Sequence, residues 1–173
     1  MGPARARDAD RARVYAAEQA AFEGTLAEEP LSGAELSALV DAVIASAPWR
    51  AAGLPRPELR PARRDAARSS ATCDAGRWVV RVAAGQATAT TVAHELAHVA
   101  AGAEHGHGAA FRRAYLDVVG LVLGEPGRRL LAGELTAHGL RAPAASWPAA
   151  PGHGALGDVV AARAQRLLGA TPR

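Results

Sequence analysis

Apolar positions at Leu36, Leu39, Val40, Val43 and Ile44 recur three and four apart. This spacing predicts an amphipathic helix over residues 33–47 with one face on a core. Ser32 and Glu35 have the spacing of a capping box at its start, and Pro48 ends it. Residues 14–22 predict a shorter helix before it, followed by a loop that Pro30 closes. Between residues 54 and 68 lie three prolines and five arginines, a composition of loop or edge strand rather than helix. The period then changes to two. Trp78, Val80 and Val82 alternate with Arg77, Val79 and Arg81 after an Asp74-Ala75-Gly76 turn, which predicts a strand over 77–82 that pairs with 69–73 as a hairpin.

Helical spacing returns over residues 88–101, where Val92, Leu96, Val99 and Ala100 share a side. It continues over 111–123, apolar nearly all round and therefore buried. Gly124-Glu125-Pro126 separates this helix from one that runs to about His138, with Gly139 placed for a left-handed cap. Residues 141–154 are rich in Ala, Pro and Gly and read as a linker. Trp147 within them is expected to pin the tail to the domain, and a short helix is expected over 156–168. The fold class is α+β, with helices packed on a small, mainly antiparallel sheet. The expected organisation is an N-terminal arm with a short helix (1–30), one domain (31–140) and a tail (141–173).

A chain of 173 residues, 49% hydrophobic, can bury one core. Every basic residue is Arg, and the formal net charge is only +3. Residues 1–13 alternate Arg and Asp with small residues and lack the apolar run of a secretory signal. No apolar stretch reaches the roughly 18 residues a membrane span needs. These features lead to the expectation of a cytoplasmic protein without membrane contact. Cys73 has no second cysteine to pair with and is expected to be a small buried hydrophobe.

The chemistry lies in His94-Glu95-Leu96-Ala97-His98, an H-E-x-x-H run inside a helical pattern. Residues i and i+4 are one turn apart on the same face, so both imidazoles can reach one tetrahedral metal ion. Glu95 is then placed to take a proton from water on the ion's open position. Zinc lowers the pKa of such water to about 7 and polarises the carbonyl under attack. A third ligand is required, and His105 and His107 are rivals for it. His105 needs the tighter return loop, although Gly102 and Gly106 ease such turns. Glu104, Glu125 and Glu134 fit less well, and Ala101 stands where a metzincin has glycine. His138 and His153 read as solvated.

His107-Gly108-Ala109-Ala110-Phe111 is an H-G-x-x-F element. An H-E-x-x-H run followed by a short turn and H-G-x-x-F resembles the SprT-like metallopeptidases, and residues 91–119 resemble still more closely an actinobacterial family of metallohydrolases. This resemblance covers about a third of the chain strongly. It implies a zincin-like single domain whose active-site helix carries the motif, with one Zn2+ on His94, His98 and His107. It also implies that Glu95 is the catalytic base and that Phe111 anchors the next helix to the core.

The expected activity is that of a zinc metallohydrolase, a peptidase, acting on a peptide or protein. Its extended substrate is expected to pair with strand 77–82 as an edge strand. The alternative is a non-catalytic metal-binding or DNA-associated module on a zincin scaffold. Some SprT-like proteases digest DNA-bound proteins, yet the local charge of 56–68 is modest, no zinc ribbon follows, and nucleic acid is only weakly supported as a partner. The presence of Glu95 favours catalysis, because a module that only held metal has no need of that carboxylate. The sequence carries no signal of oligomeric state.

Overall fold

The computed structural model describes residues 8–169. Residues 1–7, on which part of the reading of the N-terminus rests, lie outside the described residues. In chain order, helices α1 (Arg11–Phe22), α2 (Gly33–Ala45) and α3 (Ala47–Ala51) precede strands β1 (Glu58–Pro61), β2 (Ser70–Asp74) and β3 (Arg77–Val82). Helices α4 (Ala89–Ala101), α5 (Ala109–Val122), α6 (Gly124–Ala137) and α7 (Gly154–Gly169) follow. The architecture is α+β. Pro48 falls in the first turn of α3, where a missing N–H costs nothing, so it starts a short helix as well as ending the run before it.

The three strands are ordered β1-β3-β2. The expected hairpin is present, with Ser70 opposite Arg81 and Asp74 opposite Arg77. The sheet is nevertheless mixed rather than mainly antiparallel, because β1 pairs with β3 in parallel, Glu58 beside Val79. This corrects the expectation that β3 is an edge. Its backbone is committed on both sides, and β2 and β1 hold the free edges. Cys73 is also corrected: it is exposed, because it lies on the outer half of an edge strand whose last three residues all face solvent.

Helix α4 is the centre of the molecule. It packs on α5 along one side and against β2 and β3 on the other. Val92, Leu96, Phe111, Tyr115, Val118 and Val119 are all fully buried or nearly so. Thr88 caps α4 by accepting from the Thr91 amide at 3.3 Å. Helix α1 lies against α6 and contributes Val14, Ala17 and Phe22 to the same core. In the linker, the Trp147 ring meets the buried Trp49 edge-on, centroids 6.2 Å apart. Asp117 accepts from the amides of Ser146 (2.6 Å) and Trp147 (2.8 Å), so the irregular segment is tied down. His138 sits at the end of α6 with Nδ1 2.9 Å from the Glu134 carbonyl, and His153 is exposed.

The capping box of α2 is present, with the Ser32 amide donating to Glu35 at 2.9 Å and the Glu35 amide donating to Ser32 Oγ at 3.3 Å. Glu35 also receives Arg163 Nε at 2.8 Å and Arg166 Nη2 at 3.2 Å, which fastens α7 to α2. The Arg163 hydrogen bond, with those of Ser32, holds the Glu35 carboxyl down at about 2 against its ordinary 4.5. A carboxyl depressed in the folded state stabilises fully above its unfolded value and loses that contribution as pH falls. Glu35→Ala is therefore expected to lower the unfolding free energy by about 1–2 kcal/mol at pH 7. The difference between variant and wild type should shrink as pH falls from 4.5 toward 2. Urea denaturation across that range measures it, and a difference independent of pH would show that Glu35 acts only by packing.

Candidate metal centre

His94 and His98 lie one turn apart on α4, as their spacing requires. The third histidine arrives by a turn that leaves α4 at Gly102, passes through a 3-10 turn over Ala103–His105, and re-enters helix at α5. Gly106 adopts φ +49, and a Cβ there would stand 3.1 Å from the Asp8 carboxylate. Only glycine permits both the backbone turn and that approach. The result places His107 against the first two. One ligand nitrogen from each of His94, His98 and His107 lies within 4.8 Å of the others, so this group could hold a metal ion. Phe111 lies beneath, its ring centroid 5.0, 4.3 and 4.8 Å from those of His94, His98 and His107. His105 is exposed beside Glu104, 3.4 Å away, and stands apart from the group. Glu125 faces Arg128 and Arg129, and Glu134 faces His138.

The protons decide what the cluster can do. His94 Nδ1 lies 2.7 Å from Glu18, and His107 Nδ1 contacts Asp8. A carboxylate only accepts, so each imidazole carries its proton on Nδ1 and turns its Nε2 lone pair inward. The two Nε2 atoms are 3.2 Å apart. That separation is close to the edge of a tetrahedron with bonds of 2.0–2.1 Å, about 3.3–3.4 Å. Two lone pairs at this distance repel unless a cation lies between them. A proton on His94 fills the same role chemically where no metal is bound, and its surroundings favour it. Burial opposes charge on His94, but Glu18 outweighs it and raises the His94 pKa above the ordinary value. Burial and the charge of His94 push His98 down to about 3. His107 is lowered by burial against the pull of Asp8.

Glu18 and Asp8, with their supporting groups, are functional residues that the sequence reading missed. Glu18 also accepts from the buried Tyr115 hydroxyl at 2.5 Å, on the same oxygen that meets His94. Its signal was present: Val14, Ala17 and Ala21 are the buried stripe of α1, and Glu18 interrupts that stripe with a charge. Asp8 left no such mark. The segment that carries it is held by Arg112, buried on α5, which donates to Asp10 at 2.6 Å and to the His107 carbonyl at 3.0 Å. Tyr15 stacks on His94, centroids 5.1 Å apart and rings 8° from parallel.

Glu95 follows His94 on the buried side of α4. Burial raises its pKa to about 7, helped by Glu18 and opposed by His94 and by a hydrogen bond from the Ala71 amide. The bond to Ala71 places strand β2 directly beside this carboxylate. A cavity of about 300 Å3 opens there, lined by Tyr15, Glu18, Arg68, Ser69, Gln86, Thr91, His94 and Glu95.

Against known proteins, no family profile, no curated protein and no solved structure matches this chain.

The chain is expected to take up one divalent ion, which elemental analysis and titration with Zn2+ measure. His94→Ala, His98→Ala or His107→Ala should abolish uptake, and His105→Ala should leave it intact. Glu18→Gln and Asp8→Asn should weaken it by about 10–100-fold, because each removes the carboxylate behind a ligand. Binding must displace the proton that Glu18 favours on His94, and the ion draws down Glu95, whose carboxyl titrates near 7 without metal. Affinity should therefore rise with pH through the range just above 6.5, with proton release accompanying uptake below pH 7. Calorimetry in buffers of different ionisation enthalpy counts it, and the retention of uptake by His107→Ala would remove that residue from the ligand set.

Proposed function

We propose that this protein is a zinc-dependent hydrolase of peptide bonds, with Zn2+ held by His94, His98 and His107 and with Glu95 as the general base. The observation that carries the reading is the convergence of three imidazoles on one point with a buried carboxylate beside them. Three nitrogen ligands suit zinc, and a three-residue set leaves a position open for water or substrate. Zinc supplies Lewis acidity there, lowering the pKa of water and polarising the scissile carbonyl.

The side chains have separable tasks. Glu95 accepts the proton of the attacking water and passes it to the leaving amine. A value near 7 in the metal-free protein suits a group that must both take and return a proton, and a nearby dication draws that value downward. Glu18 and Asp8 keep the ligand imidazoles in the tautomer that presents Nε2. Tyr115 keeps Glu18 from turning away. The resemblance of the H-E-x-x-H and H-G-x-x-F elements to SprT-like metallopeptidases supports the choice of the peptide bond.

The extended substrate is assigned to the β2 edge in place of β3. Ala71 turns its amide away from β3 toward Glu95, so by the alternation of an antiparallel pair Cys73 also presents its backbone outward. A peptide laid along β2 would pass directly over the base.

Glu95→Gln is expected to keep its zinc while losing turnover on a mixed peptide pool by about 10²–10⁴-fold. Elemental analysis with mass-spectrometric product detection tests both halves, and intact hydrolysis by Glu95→Gln would falsify the mechanism. Cys73→Pro should raise KM several-fold and leave the hairpin folded, since the lost N–H faces away from β3. An unchanged KM would take the substrate off β2.

A further inference from the structure

The cavity beside Glu95 has walls of unequal chemistry. Arg68 has no carboxylate partner among the described residues, and its mount is fixed. The next residue, Ser69, donates its amide to Gln86 Oε1 at 2.7 Å, and its hydroxyl accepts from the Ala83 amide at 3.0 Å. That bond consumes the oxygen of Gln86 and leaves its NH2 group with two uncommitted donors. Thr91 accepts from the Thr88 hydroxyl at 3.1 Å and keeps its own proton to give. Arg68, Gln86 and Thr91 thus bring three sets of free donors to one wall. Glu18 and Glu95 also line the cavity, and Glu18 takes both the His94 imidazole and the Tyr115 hydroxyl on one oxygen.

Three donor groups with uncommitted protons, one of them a guanidinium without a carboxylate partner among the described residues, call for a ligand that brings acceptors to them. We propose that this cavity is a substrate pocket for a carboxylate, so that the protein acts on peptides bearing an acidic side chain or a free C-terminus beside the bond to be cut. The proposal rests on the peptidase reading for its scissile bond and on the donor wall for its specificity. The volume, about 300 Å3, accommodates one side chain with its flanking backbone. Orientation follows from the groove on the far side of Tyr15, which Glu23 and Glu28 line. A carboxylate is repelled from that end and drawn toward Arg68, which fixes the direction of the chain across Glu95. Arg68 is a specificity residue that leaves the metal ligands untouched.

The test separates binding from turnover. Zinc-loaded full-length Glu95→Gln is titrated with blocked pentapeptides that carry a central Glu, Gln or Lys, and with blocked trialanine whose C-terminus is free or amidated. Wild-type kcat/KM is measured on the same peptides. The Glu peptide, the free acid, or both should bind about tenfold or more tightly than the neutral counterpart. Which pair discriminates tells a side-chain carboxylate from a terminal one. Adding Arg68→Ala should remove the preference, and Arg68→Glu should turn it toward Lys. Equal binding of charged and neutral peptides, or a preference that survives Arg68→Ala, overturns the proposal. A carboxylate preference lost with Arg68, joined to no cleavage by wild type, supports the pocket and removes the peptidase reading instead.

Discussion

Two imidazole nitrogens face each other across 3.2 Å in the middle of this protein, and much of the surrounding structure exists to keep them there. Left alone, buried histidines would rotate to pair each lone pair with a donor. Glu18 and Asp8 prevent this, because each binds Nδ1 from behind and leaves Nε2 no partner except a cation. Withdrawing carboxylates even partly from water is itself costly. Tyr115 and Arg112 offset that cost, the first by a hydrogen bond to Glu18 and the second by fastening the segment that carries Asp8. The arrangement is a set of mutual obligations: no single group among these is well solvated or well paired without the others.

The backbone meets the same constraint from another direction. One turn of helix aligns His94 with His98 at no special cost, but the third nitrogen has to come back from beyond the helix end. Gly102 and Gly106, both at positive φ, reverse the chain within a few residues, and α5 then packs along α4 with Phe111 filling the space under all three rings. An apolar floor excludes water from below and confines the open side of the cluster to the face where Tyr15, Glu95 and β2 meet. Access to the three rings is thus given a direction by packing alone.

The helices that carry the site were readable because their apolar spacing is strong and local: α2 with its capping box, α4 with its two histidines, and α5 with its continuous apolar surface. His107 was separable from His105 by the reach of a glycine turn together with a resemblance, and the fold places it in the cluster while His105 stays in solvent. What escaped was non-local. β1 is four residues long and contains two of its charges as an exposed pair, Glu58 with Arg60. Nothing nearby in sequence signals that it joins β3 in parallel and turns a presumed edge into a centre. The same holds for Asp8, an ordinary polar residue 99 positions from His107. Glu18 is the instructive case, since a charge within the Val14, Ala17, Ala21 stripe was visible and its meaning required only the rule that buried charges have partners.

Charge balance ties these strands of argument together. Asp8, Glu18 and Glu95 bring three carboxylates to three imidazoles, and the metal-free cluster answers them with at most one proton on His94, while Glu95 escapes ionisation by a pKa near 7. A divalent ion among the three nitrogens would replace that single proton with twice the charge and favour the ionised form of Glu95. The ion would then stabilise the docking of α1 as well as the alignment of the ligands, because both supporting carboxylates belong to α1 or the residues just before it. Metal affinity and the folding of the N-terminal helix are in this sense one equilibrium, and a change that loosens either must weaken the other by linkage.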